Sequence, residues 1–337
     1  MALSPKQSGK FIAERAKHVK INNKGIEALA NQLLQEINAS SLTVNGFSQT
    51  SVHPTENDSW AADWIFVIDT LNFCFWSVEN EVGWTVEQQT GYFALCTAIN
   101  RAMRDGIDIL NPKFYSTISE QQLLNILRSD NEVQIPLFKE RLKCLHEVGN
   151  SLLENFEGSF INCIKQADNS AVKLLNIIAH NFKCFRDEAT YEDIRVSIYK
   201  RAQILVGDIW ACYKDYRVPQ SLLYFNVLEY SNELKDKLKS NYIFANGDPM
   251  EVEIRGCSIH AVELVKLHVL SKIDKPDKVS HTLLTGRITS TELRQNIVKR
   301  PTIPSNSVCV DDSFAFPHSM RPVPTCNALP KKKTFLP

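Results

Sequence analysis

Apolar residues recur at helical spacing through most of the first 270 residues. The clearest stripe lies between residues 24 and 37, at positions i, i+3, i+4, i+7, i+8 and i+11: Ile26, Leu29, Ala30, Leu33, Leu34 and Ile37. This spacing predicts an amphipathic helix. Similar patterns predict helices at about residues 170–182, 192–212, 219–228 and 257–270. We therefore expect a mainly α fold.

Two local signals predict where further helices begin. Thr117 stands three residues before Glu120, which is the spacing of a capping box ahead of an apolar run. Pro136 suits the first position of a helix. The residues behind this proline share one apolar face: Leu142, Leu145, Val148 and Leu152. We expect a helix after each signal.

Strand character is confined to residues 64–84, which are rich in aromatic and β-branched side chains, and to residues 251–254. The last 67 residues hold eight of the fourteen prolines and none of the five tryptophans. Such a composition buries too little apolar surface to offset the entropy of ordering the chain. We therefore expect one domain over residues 1–270 with a few short strands, and a loose tail over residues 271–337.

Charge and cysteine usage exclude several classes of protein. The chain has 38 basic and 38 acidic residues, so its formal charge of zero argues against a duplex nucleic-acid partner or an anionic membrane surface. Nine cysteines are scattered without a Cys-x-x-Cys pair, which predicts reduced, mostly buried thiols and no metal site. Without a signal peptide or a membrane span, we expect a cytoplasmic protein.

Two polar residues interrupt the aromatic run from Trp64 to Trp76. Asp69 and Asn72 stand among apolar neighbours, where a polar group without a partner costs about 1–3 kcal/mol. They either cap a turn or contact a ligand. The aromatic residues themselves either form core or stack on a flat heterocycle.

Two cationic residues lie next to each other in a predicted helix. Lys200 or Arg201 could hold a phosphate through charge-assisted hydrogen bonds, or both could belong to a solvated helix face. In the acidic stretch over residues 247–258, carboxylates could pair with Arg255, orient a catalytic element, or serve turns and helix starts.

Asp215 stands shortly before Pro219, at the predicted start of a helix. A rigid carboxylate there could stabilise an oxocarbenium-like transition state, although an aspartate before a helix is also a common N-cap. His53 precedes the aromatic run and has either a structural or a functional role.

Eight blocks, colinear along the chain, resemble the queuosine salvage protein family, the queuosine 5′-phosphate N-glycosylase/hydrolases. The blocks are SPKQSGKFIAERAKHVKI, WIFVIDTLNFCFWS, GYFALCTAINRA, LNILRSD, SFINCIKQADNSA, YKRAQILVGDIW, DYRVPQ and GDPMEVEIRGCS. The resemblance implies a helical fold similar to helix-hairpin-helix DNA glycosylases. It also implies cofactor-free hydrolysis of the N-glycosidic bond of queuosine 5′-phosphate, which releases queuine for reuse in tRNA.

The resemblance also implies roles for individual residues. Asp215, in the DYRVPQ block, corresponds to the catalytic carboxylate, and His53 corresponds to a substrate contact. Tyr213 occupies the aromatic position two residues before the aspartate. With Asp69, Asn72 and Lys200 as further candidates, these residues form the expected substrate site. We expect a small nucleotide as the partner and a monomeric chain.

Two departures from the family pattern keep a second hypothesis open. Only four residues separate Trp210 from Asp215, where family members carry a longer segment, and an Asp-Tyr-rich C-terminal motif has no counterpart after residue 270. The alternative is therefore a non-catalytic nucleotide-binding member of the family. A third hypothesis, a DNA or RNA base glycosylase, is opposed by the zero net charge.

Overall fold

The computed structural model describes residues 2–38, 51–54, 58–75, 82–168, 170–209, 226–240, 242, 244–245 and 247–272. These residues form twelve α-helices: α1 (Pro5–Ala13), α2 (Asn23–Asn38), α3 (Ala61–Leu71), α4 (Gly91–Arg104), α5 (Pro112–Tyr115), α6 (Glu120–Ile126), α7 (Phe138–Asn155), α8 (Phe160–Gln166), α9 (Ala171–Asn181), α10 (Lys200–Ile209), α11 (Asn232–Lys239) and α12 (Pro249–Leu270). A 3-10 turn spans Lys183–Phe185. The expected mainly α class is confirmed.

Six short strands form three antiparallel pairs among the described residues. They are β1 (Val19–Ile21), β2 (Thr85–Val86), β3 (Gln89–Thr90), β4 (Glu188–Tyr191), β5 (Ile194–Ser197) and β6 (Leu228–Tyr230). Strands β2 and β3, and likewise β4 and β5, form local hairpins, whereas β1 pairs with β6 from more than 200 residues away, with Val19 opposite Tyr230. The long-range pair ties the start of the chain to its later part.

The buried apolar residues divide into two clusters. The first surrounds α3, with contributions from α4 and from α6 to α10, and includes the closely stacked rings of Phe66 and Phe160, whose centroids are 4.4 Å apart. The second lies between α1, α2, α11 and α12 and the β1–β6 pair. Elements of the first cluster carry the candidate site.

Helices α1 and α12 approach closely through two glycines. A Cβ atom added at Gly256 would lie 2.5 Å from Cδ1 of Ile12, and one added at Gly9 would lie 2.9 Å from Cγ2 of Ile259. Both distances are far below van der Waals contact. Glycine is therefore required at both positions for the observed packing of the two helices.

Several helices predicted from periodicity are confirmed. Helix α2 covers the predicted stripe over residues 24–37. Helix α9 follows residue Ser170, whose side chain accepts a hydrogen bond from the backbone N–H of Lys173 as an N-cap. On α7, Leu145, Val148 and Leu152 of the predicted face are buried, and Leu142 is partly buried.

The predicted helix starts need small corrections. The N-cap of α6 is Ser119 rather than Thr117, because Ser119 has Gln122 three residues later and the two side chains form a reciprocal capping box. Helix α7 begins at Phe138, two residues after Pro136. Leu137 adopts a left-handed backbone conformation with φ of 52°, so Pro136 does not belong to the helix.

In three places the structure has a helix where the sequence predicts a strand, or a strand where it predicts a helix. The segment Trp64–Leu71 is helical, because a helix buried on every side can be apolar throughout and its burial overrides the strand preference of the residues. Residues 251–254 lie inside α12, which starts earlier because Asp248 caps it and Pro249 opens it. Residues 194–197 form β5, so the helix predicted over residues 192–212 begins only at Lys200.

Two predictions lie largely outside the described residues. The helix predicted over residues 219–228 is described only from residue 226, and Leu228 belongs to β6. The tail predicted over residues 271–337 is described only to residue 272. The boundary at residue 270 and the likeness to helix-hairpin-helix DNA glycosylases therefore stay predictions.

Candidate active site

The end of α3 carries two of the predicted site residues. Asp69 is fully buried in the last turn, and Asn72 caps the helix directly after Leu71. The side-chain amide of Asn72 donates a hydrogen bond of 3.1 Å to Oδ1 of Asp69. The two residues therefore form the turn contact that the sequence offered as one alternative, and their contact with a ligand stays a prediction.

Arg141 of α7 fixes the chain at the end of α3. Its side chain is 0% exposed, and its guanidinium donates to the backbone carbonyls of Leu71, Phe73 and, at 2.8 Å, Cys74. The last carbonyls of a helix have no partner within the helix. Arg141 supplies such partners and so holds the turn that contains Asn72.

Arg201 of α10 supports the same turn from another side. Its Nη1 donates to the carbonyl of Thr70 at 3.0 Å, and its Nη2 donates to the carbonyl of Cys184. The guanidinium also lies 4.9 Å from the ring centroid of Phe73. With 4% exposure and these contacts, Arg201 links α3 to the 3-10 turn, which favours a structural role over the phosphate role considered from sequence.

Lys200 lies at the first position of α10 and is partly buried. Asp208 lies eight residues later on the same helix, about 12 Å along the axis at 1.5 Å per residue. The two charged groups therefore occupy opposite ends of α10. A phosphate held by Lys200 would lie well away from Asp208.

A buried acid that sequence reasoning missed stands near Asp69. Asp208 is 2% exposed, and its Oδ1 has no hydrogen-bond partner in the part of the chain that the structure describes. Burial, followed by the negative charge of Asp69, raises the pKa of Asp208 well above its ordinary value. Burial and the same two carboxylates also raise the pKa of the Cys96 thiol.

Asp69 on α3, Cys96 on α4 and Asp208 on α10 are all buried, and α3 packs against both α4 and α10. A pair of neighbouring buried carboxyl groups retains a proton more strongly than a lone exposed one. The signal that could have found Asp208 is the one that found Asp69, since it also interrupts an apolar run, Ile204-Leu-Val-Gly-Asp208-Ile.

His53 lies against the start of α4. Its Nε2 is 3.0 Å from the hydroxyl oxygen of Tyr92, and its ring meets that of Trp64 edge-on, with centroids 5.8 Å apart. The ring of Phe93 stacks on the imidazole at 6.3 Å with an interplanar angle of 24°. Phe93 is 45% exposed. The cluster therefore offers an aromatic surface on which a planar base could stack.

The backbone next to His53 is also fixed. The side-chain amide of Asn100 donates to the carbonyl of Val52 at 2.7 Å, and its oxygen accepts a hydrogen bond of 2.7 Å from the indole of Trp64. One asparagine on α4 therefore joins the histidine segment to α3. His53 packs against Tyr92 of α4 and Trp64 of α3, and Asp69 lies in the last turn of α3.

Asp215 and Tyr213 lie outside the described residues, which stop at Ile209 and resume at Asn226. Their roles stay predictions. Asp208, however, lies seven residues before Asp215, near the end of α10.

The acidic stretch over residues 247–258 has structural partners. Glu253 accepts hydrogen bonds from the backbone of His18 at 2.6 Å and from the hydroxyl of Tyr191 at 3.0 Å. Arg255 pairs with Glu251 at 2.7 Å and with Asp187. The predicted pairing with Arg255 is confirmed, and these carboxylates join α12 to β1 and the β4–β5 hairpin.

A groove of about 530 Å³ lies between α1, β1, β6 and α12. Its lining includes His18, whose Nδ1 lies 3.1 Å from the hydroxyl oxygen of Ser231, and His260. None of the predicted site residues lines this groove. It is therefore separate from the elements that carry His53, Asp69 and Lys200.

Within the described part of the chain, no group of three or more histidine, cysteine or acidic residues has the arrangement of a metal site. The described cysteines are all buried, as predicted, and none forms a disulfide: Cys74, Cys96, Cys144, Cys163, Cys184 and Cys257. None of the described helices combines the length and the apolar character needed to cross a membrane.

Comparison with known proteins identifies relatives along most of the chain. The family model described as "Queuosine salvage protein" matches residues 52–215 and 212–311. The match divides at residues 212–215, the place where we expect a shortened segment, and its second part extends past residue 270.

Individual relatives carry a name that specifies a reaction. The queuosine 5′-phosphate N-glycosylase/hydrolase of Bos taurus is 41% identical over 310 residues, which cover 86% of this chain and 90% of the relative. The protein of that name from Mus musculus is 40% identical and covers 84% and 90%, and the one from Schizosaccharomyces pombe is 33% identical and covers 80% and 86%.

Proposed function

The chain belongs to the queuosine salvage protein family, and we propose that it hydrolyses the N-glycosidic bond of queuosine 5′-phosphate and releases queuine. The observation that carries this proposal is the 41% identity to a relative of that name over 90% of the relative's length. A small nucleotide as substrate agrees with the zero net charge, which gives the chain no overall electrostatic attraction to a nucleic-acid duplex.

We propose Asp215 as the catalytic carboxylate. When the bond between ribose and base breaks, positive charge develops on the sugar, and a nearby ionised carboxylate stabilises that charge and can orient a water molecule. The DYRVPQ block supports the assignment, as does the position of Asp215 shortly after the fixed helix α10. The aromatic ring of Tyr213 would border the same site.

We propose His53 as a substrate contact on the base side. Its backbone is fixed through Asn100, and its ring is packed by Trp64, Tyr92 and Phe93. Such preorganisation lowers the entropy lost when a ligand binds. The exposed face of Phe93 beside the imidazole offers a stacking surface of the kind that a deazapurine requires.

Lys200 is the proposed contact for the 5′-phosphate. It stands at the N-terminal end of α10, where the backbone N–H groups and the helix dipole also favour a negative charge. Arg201 is 4% exposed whereas Lys200 is only partly buried, so Lys200 is the more accessible cation of the two. Asp69 and Asn72 complete the proposed site at the end of α3.

The chemistry proposed here needs a carboxylate and water, so the enzyme would act without a cofactor. Buried cysteines that form no disulfide among the described residues agree with a reducing compartment, which supports the cytoplasm as its location. We propose a monomer, because one chain contains all the candidate residues.

Release of free queuine from queuosine 5′-phosphate by the purified full chain, followed by chromatography, tests the proposal. We expect release from the wild type, weaker release from His53→Ala, and unchanged release from His180→Ala, whose histidine is exposed on α9. Calorimetric binding of the nucleotide without any release would contradict the hydrolase and indicate a non-catalytic binding protein. Salt-sensitive binding to oligonucleotides alone would indicate a base glycosylase instead.

A further inference from the structure

We propose that Tyr92 is a positioning residue for His53, and that its hydroxyl group selects the orientation in which the imidazole meets the base of the nucleotide. This inference rests on the proposed function, in which His53 contacts the substrate. It adds a specificity-determining residue that does not itself touch the substrate.

The hydrogen bond between the two residues defines the ring orientation. The hydroxyl oxygen of Tyr92 lies 3.0 Å from Nε2 of His53, and the two rings meet at 77° with centroids 5.6 Å apart. The contact therefore fixes the plane of the ring and the nitrogen that faces Tyr92, because the hydroxyl can donate to or accept from Nε2.

Aromatic packing alone cannot provide this selection. Trp64 and Phe93 contact the imidazole edge-on and face-on, but apolar contacts hardly distinguish the nitrogen edge of the ring from its carbon edge. A rotation of about 180° around the second side-chain torsion would exchange those edges within nearly the same volume. A hydroxyl at hydrogen-bond distance favours one of the two orientations.

Tyr92 is itself held by its place in the chain. It is the second residue of α4 and is 9% exposed. The β2–β3 hairpin leads into this helix through Gly91, whose φ of 58° lies in the left-handed region that favours glycine. The sharp entry into α4 brings Tyr92 and Phe93 beside His53 at the start of the helix.

Hydrogen bonds also fix the chain around His53 and Tyr92. Asn100, two turns along α4 from Tyr92, binds both the carbonyl of Val52 and the indole of Trp64. The histidine backbone and the tyrosine thus belong to one hydrogen-bonded unit. Within this unit the hydroxyl of Tyr92 is a polar group that a single substitution removes without changing the aromatic packing.

A double-mutant cycle with the full-length protein tests the inference: wild type, Tyr92→Phe, His53→Ala and the double variant, assayed by queuine release. We expect Tyr92→Phe to raise KM for queuosine 5′-phosphate about three- to tenfold, the range of a net hydrogen-bond contribution, with a smaller change in kcat. In the His53→Ala background the same substitution should have no further effect on KM.

Tyr230→Phe is the matched control, because it removes another buried tyrosine hydroxyl, in the second core cluster. It should leave KM unchanged. An unchanged KM in Tyr92→Phe, or an equal loss in the presence and absence of His53, would overturn the positioning role. These results differ from failure of the proposed function, in which the wild type itself would release no queuine.

Discussion

Replacement of Arg141 by methionine should destabilise the protein strongly. Met keeps much of the volume of the buried stem but removes the guanidinium, which donates to the carbonyls of Pro136 at 3.0 Å, Cys74 at 2.8 Å, Leu71 and Phe73. Several carbonyls would then be buried without their donor. The turn that follows α3 would lose its main cross-link to α7.

The expected loss follows from these contacts. A hydrogen bond that involves a charged group contributes about 1.5–3 kcal/mol, and each buried carbonyl left unpaired costs about 1–3 kcal/mol. The contributions are not additive, because the four carbonyls share one guanidinium and the turn can relax. We expect the free energy of unfolding to fall by about 3–5 kcal/mol, at the upper end for single substitutions.

Urea unfolding followed by tryptophan fluorescence and circular dichroism measures this loss. Arg104→Met is the control, because Arg104 is 60% exposed and pairs with Glu87 at the surface, where an ion pair contributes about 0–1 kcal/mol. Equal losses in the two variants would refute the structural role assigned to Arg141.

Three further substitutions probe the site and the fold. Burial and then Asp69 raise the pKa of Asp208 in the folded chain, so its stabilising contribution is present at low pH and is lost as the pH rises through that folded pKa. As the pH rises above about 4, the melting temperature of Asp208→Asn should therefore fall less than that of the wild type. Parallel curves of melting temperature against pH for the two proteins would contradict this reasoning. In binding titrations, Lys200→Ala should lower the affinity for the 5′-phosphorylated nucleotide more than the affinity for the bare nucleoside. An equal loss of affinity for the two ligands would exclude the phosphate contact. Gly256→Ala should lower stability in urea by about 1–3 kcal/mol through its clash with Ile12, and an unchanged midpoint would show that α1 can move aside.

Local patterns in the sequence predicted much of the fold. The apolar stripe of α2 and the Ser170 cap of α9 depend on residues a few positions apart, so they are readable from the chain alone. Residues 64–71 of helix α3 are predicted as a strand because they are rich in aromatic and β-branched side chains, whereas in the structure they form a helix that is buried on every side. Burial of that kind is decided by the helices that pack around it, which lie far away in sequence.

In the candidate site, too, contacts between residues close in sequence could be predicted, whereas contacts between distant residues could not. Asp69 and Asn72 were noticed because they interrupt an apolar run, and their mutual contact spans three residues. The roles of Arg141 and Arg201 could not be predicted, because their partners lie about 70 and 130 residues away. The effect of Asp69 on the pKa of Asp208 depends likewise on the packing of α3 against α10. The family roles of Asp215 and Tyr213 came from motif resemblance and stay predictions.

The most direct test of the account is the release of queuine from queuosine 5′-phosphate by the wild type and by Asp215→Asn. Asp193→Asn is the control, because Asp193 is an exposed turn residue with a positive φ that asparagine also adopts readily. The account predicts release by the wild type and the control, and loss of release in a folded Asp215→Asn variant. A folded wild type that binds the nucleotide and releases no queuine, or an Asp215→Asn variant with full activity, would contradict it.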